Sequence, residues 1–186
     1  MTNDRRIDYP GAVHHVTQRG AGRQLLFEEA ADYRQFLDSL LECLIRYQWD
    51  VLAYALTPAR VDVVLCAREG NLSLGMRRLT GSYARGFNAA HGYTGSVFQG
   101  RFESRLLATD DDIRTALAAV AVEPVRRGVA LSPAEWPWST HAELGGFVPV
   151  GPELNARRAL ELFSPRATKA RHRYLELVDR MANATG

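Results

Sequence analysis

Two hydrophobic rhythms alternate along the chain. Residues 12–19 read as a strand. Across 30–47, Tyr33, Phe36, Leu37, Leu40, Leu41, Leu44 and Ile45 recur at helical spacing and predict an amphipathic helix. Residues 49–56 and 61–67 are strongly apolar and predict two strands joined at Thr57-Pro58, where proline breaks pairing. Asn71 is expected to cap a second helix that runs to about residue 90, its buried stripe formed by Leu72, Met76, Leu79, Tyr83 and Phe87. Residues 98–107 predict a fourth strand. Thr109-Asp-Asp-Asp112 then opens a third helix with acidic residues at its positive end. The order strand-helix-strand-strand-helix-strand predicts an α+β fold, a ferredoxin-like split βαβ core with an antiparallel sheet.

Beyond residue 128 the pattern breaks up. Pro133, Pro137, Gly145, Gly146, Pro149 and Pro152 predict short turns, with one helical turn near 139–144. Helices are expected at about 153–162 and 166–183, which sets a domain at 1–130 against a helical extension at 131–186. An apolar content of 46% in 186 residues suffices for a real core. No run approaches the roughly 18 apolar residues of a membrane span, and the opening Met-Thr-Asn-Asp-Arg-Arg lacks a signal peptide's apolar stretch. Cys43 and Cys66 fall in apolar patterns and are expected to be buried and reduced, as in a cytoplasmic protein.

Net charge is only +2, but Lys169 is the single lysine, so the positive charge is almost all arginine. A guanidinium fork suits bidentate contacts to phosphate and guanine, although a GC-rich genome favours the same residue. On the second helix Arg77, Gly81, Arg85 and Asn88 run along one face with Arg78 beside them, a row that offers phosphates charge and close approach. Gln99, Arg101 and Arg105 extend the candidate DNA surface, and Arg19 and Arg23 flank the Gly20-Ala-Gly22 turn. Phe98 and Phe102 are expected in the core. Arg126 and Arg127, following the third helix, are weaker candidates. His14 and His15 are adjacent on a strand and face opposite ways, so they cannot share one ion from there. His91, His141 and His172 lie in separate segments with no zinc-like spacing.

Six blocks carry a family resemblance across roughly residues 8–145. They are Tyr9-Pro-Gly-Ala-Val-His-His-Val-Thr-Gln-Arg-Gly20; Gly75-Met-Arg-Arg-Leu79 with Tyr83-Ala84; Phe87-Asn88 and His91; Gly95-Ser-Val-Phe-Gln-Gly-Arg-Phe102; Pro124-Val-Arg126; and Trp136-Pro-Trp-Ser139. In order and spacing the chain resembles the REP-associated single-tyrosine transposases of the HUH-endonuclease superfamily. The resemblance implies the same ferredoxin-like fold and DNA as partner. It also implies cleavage of single-stranded DNA by a tyrosine nucleophile, with a divalent metal on a His-hydrophobe-His pair.

At the positions that match that machinery the residues differ. Arg60 and Asp62 stand where the histidine pair belongs, and a guanidinium has no lone pair for a metal. Ala119 stands at the tyrosine position, and Glu123 at the polar position one turn on. Without a hydroxyl there, no covalent phosphoryl intermediate forms. Arg60 is therefore expected to pair with Asp62, Glu123 or both, a fixed cation in place of the metal.

These readings point to a catalytically inactive, transposase-like DNA-binding protein, domesticated as a transcriptional regulator or repeat-binding factor, with no cofactor and no bound metal. The sequence leaves open whether hairpin, single-stranded or duplex DNA is bound, and whether the chain forms a homodimer. Two alternatives stand beside this. One is a metal-dependent nuclease or phosphodiesterase holding Mg²⁺ on Asp62 and Glu123. The other is a protein-interaction module that has dropped DNA.

Overall fold

The computed structural model describes residues 8–22 and 24–184. Its elements run β1 (Ala12–Arg19), α1 (Ala30–Tyr47), β2 (Trp49–Thr57), β3 (Arg60–Ala67), α2 (Leu72–His91), β4 (Glu103–Leu106) and α3 (Asp110–Arg126). There follow a 3-10 turn at Pro133–Glu135 and the helices α4 (His141–Gly145), α5 (Ala156–Glu161) and α6 (Ala167–Asn183). The sheet order is β2-β3-β1-β4, with every pairing antiparallel. β3 lies between β1 and β2, which is the expected split βαβ arrangement.

Side-chain alternation on the strands divides the interior into two cores. Val16, Val61, Val63 and Leu65 pack with Phe36 and Leu40 of α1 and Met76 and Tyr83 of α2. Val13, Val64 and Cys66 point to the other face, where Leu117 of α3 meets Leu144, Leu160, Tyr174 and Val178 of α4 to α6. Helices on both faces explain why β2 and most of β3 are buried along their whole length and read as apolar runs. Gly75 permits α2 to approach β2 closely, since a β-carbon there would lie 2.0 Å from the Trp49 ring. Cys43 and Cys66 are buried and unpaired, as expected, and burial pushes the Cys43 thiol up to about 11.

The 131–186 segment is stitched onto β2. The Leu56 N–H donates to the Trp138 carbonyl at 2.9 Å, and the Asn155 N–H donates to the Val51 carbonyl at 2.8 Å. Buried Asp50 on β2 accepts from Asn155 at 3.0 Å, from Arg68 at 2.7 and 2.8 Å, and from Arg158. His141 Nδ1 and the Tyr174 hydroxyl, 3.0 Å apart, tie α4 to α6.

Three expectations change in the structure. Asn71 precedes α2 but its side chain does not cap it. Its amide accepts from Trp49 Nε1 at 2.8 Å and donates to the Tyr47 carbonyl at 3.1 Å, while the Asp8 carboxylate takes the Leu72 N–H at 2.9 Å. The fourth strand covers only residues 103–106. Upstream, Gly100 adopts a positive φ of 62°, and Phe98 and Phe102 turn into the helix-side core, which ends strand pairing. Arg126 lies within α3 and Arg127 caps it, so the helix runs through Pro124. The third helix opens at Thr109 to Asp112 as expected, and the Thr109 hydroxyl caps it by accepting the Asp112 N–H at 3.1 Å. Among the described residues no helix is long and apolar enough to cross a membrane.

Candidate functional site

Period-two alternation places His15, Thr17 and Arg19 of β1 on the α3 side of the sheet, with Arg60 and Asp62 of β3 opposite them. The register pairs Thr17 with Asp62 and Arg19 with Arg60. Asp62 is the centre of the cluster. His15 Nε2 lies 3.0 Å from Oδ1, to which the Thr17 hydroxyl also donates at 3.1 Å. Arg60 grips the same carboxylate with both prongs of its fork, Nε to Oδ2 at 2.5 Å and Nη2 to Oδ1 at 2.8 Å. Burial alone would raise the Asp62 pKa, but the His15 and Arg60 bonds outweigh it and hold the carboxyl below its ordinary range.

Glu123 closes the cluster from α3. Its Oε1 stands 3.3 Å from Arg60 Nε and accepts from Arg127 Nε at 2.7 Å. Arg60 therefore sits between two carboxylates of different elements, as the strand and helix spacings predict. Ala119 lies one turn earlier on the same side of α3 and offers a methyl group only. Both Asp62 oxygens and Glu123 Oε1 are thus engaged by arginine donors, Arg60 on the first carboxylate and Arg60 with Arg127 on the second.

Beside the cluster is a cavity of about 330 Å³ whose lining includes Arg19, Gly20, Arg60, Gln99 and Arg127. Gly20 shapes its turn, because a β-carbon there would lie 2.3 Å from the Gln24 carbonyl oxygen. The Gln99 N–H donates to the Arg19 carbonyl at 2.8 Å and fixes those two candidates side by side. Arg105 is exposed on β4 opposite His15, on the same sheet face. Arg23 lies outside the described residues.

The α2 candidates divide. Arg77 and Arg101 line a separate cleft of about 500 Å³ together with Gln18, on the other side of the sheet. Arg78 is one residue on, roughly 100° further round the helix, and its charge acts on Cys43 of α1. Arg85 reaches back over Gly81, its Nη1 3.7 Å from where a β-carbon would sit. Asn88 donates to the Gly95 carbonyl at 3.0 Å and holds the loop after α2. The eight described DNA candidates thus lie on both sides of the sheet rather than in one continuous row. Phe98 and Phe102 are core residues, as expected.

Sequence spacing missed two histidine–carboxylate contacts. Among the described residues, Glu29, Asp32 and His91 bring ligand-type atoms within 4.8 Å of one another, although the chain separates them. Asp32 is already engaged. Its Oδ2 accepts the Glu28 and Glu29 N–H groups at 2.8 and 3.0 Å, and Oδ1 lies 2.8 Å from His91 Nε2. That last contact raises the His91 pKa. His14, facing away from His15 as alternation requires, has Nε2 3.6 Å from Asp8 Oδ1. Burial lowers the His14 pKa against the pull of that carboxylate. Neither contact has a local sequence signal.

No protein-family profile matches the chain, and no curated protein does. Among solved structures, the chain is similar to a REP-associated tyrosine transposase bound to a REP hairpin. The TM-score is 0.68 at 18% identity, over 82% of this chain and 90% of that one. A Deinococcus radiodurans R1 chain assigned as a transposase aligns over 69% of this chain and 98% of its own at 16% identity, with a TM-score of 0.43. The first of these establishes a shared fold.

Proposed function

We propose that this chain is a transposase-like DNA-binding protein whose nuclease centre has been replaced by a structural ion cluster. The observation that carries this reading is Arg60, held between Asp62 and Glu123 where a metal-binding pair belongs by family resemblance. A guanidinium already bound to two carboxylates supplies neither a Lewis acid nor a metal-activated water, and Ala119 supplies no nucleophile. What the fold retains is cationic surface. Arg19, Gln99 and Arg105 border the cluster on one sheet face, and Arg77 and Arg101 line the cleft on the other. The similar transposase is bound to a REP hairpin, which makes hairpin DNA the first probe to try. A transcriptional or repeat-binding role follows if such sites lie near promoters or repeats.

The test pairs fluorescence anisotropy with a nicking assay. Hairpin, single-stranded and duplex probes should bind with strong salt dependence, while Mg²⁺ or Mn²⁺ should yield neither a nick nor a covalent adduct. An adduct with the unmodified protein would sink the loss of catalysis. Absence of binding to every probe at low salt would leave the protein-interaction reading in its place.

A further inference from the structure

The cleft between α2 and the loop before β4 has a chemistry that the ion cluster lacks. Its lining includes Gln18, Leu74, Arg77, Gly100, Arg101 and Phe102, and its volume of about 500 Å³ suits a small organic group. Gln18 is only 3% exposed. Its Nε2 donates to the Gly100 carbonyl at 3.3 Å, and because a carbonyl can only accept, the amide orientation is fixed. Oε1 is then a buried acceptor with no donor among the described residues. Such an orphan is costly unless a ligand or water supplies an N–H or O–H.

Each wall narrows the choice of ligand. Leu74 is 51% exposed although apolar, and Phe102 presents a second apolar wall. Arg77 and Arg101 are exposed in the cleft and make no ion pair with another described residue, so their guanidinium groups can meet an anion there. Inorganic phosphate would leave the apolar walls and Oε1 unserved. A fatty acid would satisfy the arginines but brings no donor. A nucleotide has the required set: a flat face for Leu74, Phe102 and the guanidinium planes, an N–H edge for Gln18, and an adjacent phosphate.

We propose that this cleft takes one unpaired nucleobase of the bound DNA, with Gln18 Oε1 accepting from the base edge and Arg77 and Arg101 holding its phosphate. The inference rests on the DNA-binding reading for its source of bases, while the cleft chemistry stands independently of it. It adds to a phosphate-reading surface a pocket that requires a base.

The test compares two fluorescein-labelled DNA 12-mers with identical phosphates, one carrying bases and one abasic throughout, together with free dAMP in equilibrium dialysis. The full-length protein should bind the base-bearing strand about tenfold more tightly than the abasic strand, the magnitude of one stacked base. Gln18→Leu should close that gap. So should Leu74→Trp, which fills the cleft from an exposed position and does not disturb the core. Both should keep the parent's salt slope. Equal binding of the two strands by the parent, or a gap that survives in both variants, overturns the pocket and leaves DNA binding intact. Binding of dAMP that is lost in Leu74→Trp, without binding of either strand, supports the pocket and overturns the DNA reading. Binding of neither strand nor dAMP overturns both.

Discussion

Arg60 and Arg77 stand on opposite sides of the same sheet, and their surroundings differ in sign. Arg60 meets Asp62 and Glu123, with Arg127 sharing the second carboxylate. Arg77 opens into a cleft with Arg101 and without a carboxylate partner among the described residues. A guanidinium in the first setting is largely neutralised and serves the fold. One in the second is available to a phosphate, because no carboxylate among the described residues offsets its charge. Arginine content alone therefore says little about nucleic-acid binding. The carboxylates that packing brings near each arginine decide it.

Removing each side of that contrast should give different losses. The largest is expected for Arg60→Ala, which leaves Asp62 and Glu123 without their shared cation. Breaking a buried pair costs roughly 3–5 kcal/mol, and the remaining His15 and Thr17 bonds to Asp62 favour the lower end. Denaturant unfolding measures it, and a change below about 1 kcal/mol would show the cluster to be loosely built.

The acid limb of stability comes next. Asp62 has a folded pKa below its unfolded value, so its contribution is complete above the unfolded value near 4 and is lost as pH falls toward the folded one. Thermal melts from pH 6 to pH 2 should show this loss, and Asp62→Asn, less stable at neutral pH, should flatten that part of the curve. An unchanged acid limb in the variant would assign the loss elsewhere, with Asp50 the next candidate since its carboxyl is also held low.

Arg77→Ala combined with Arg101→Ala should leave the fold intact and weaken DNA binding. The log–log salt slope should fall by about 0.7–0.9 for every phosphate that an arginine no longer neutralises. An unchanged slope would move DNA to the opposite face, where Arg19 and Arg105 lie. The smallest effect is expected from Lys169→Ala on α6, which should change neither affinity nor slope in the same titration. A weakening there equal to the double variant's would mean that the extension contributes to the DNA surface.

The parts of the fold that sequence revealed are the locally periodic ones. The apolar spacing over Tyr33 to Ile45 marks α1, and Thr109 with Asp112 marks the start of α3, because both depend on residues within a few positions. The shared face of Arg60 and Asp62 was equally legible, since alternation on a strand needs only two residues of separation. Asn71 shows where such reasoning stops. Its type and place suit a cap, but Asp8 takes the Leu72 N–H, from 64 positions away in the chain. His91 beside Asp32 is a second case, with 59 positions between them.

Sequence by itself determined the order of strands and helices, the residue types at positions 60, 62, 119 and 123, and the richness in arginine. It did so because side-chain periodicity and covalent identity are local properties. For the arginines other than Arg60, tertiary structure alone decided which meet a carboxylate among the described residues. Arg77 and Arg78 are neighbours in the chain, yet one opens on a cleft and the other lies toward α1. Glu123 reaches Arg60 only because α3 packs across β3. Coulomb energy depends on distance in space and on burial, and neither is written in the spacing of residues along a chain.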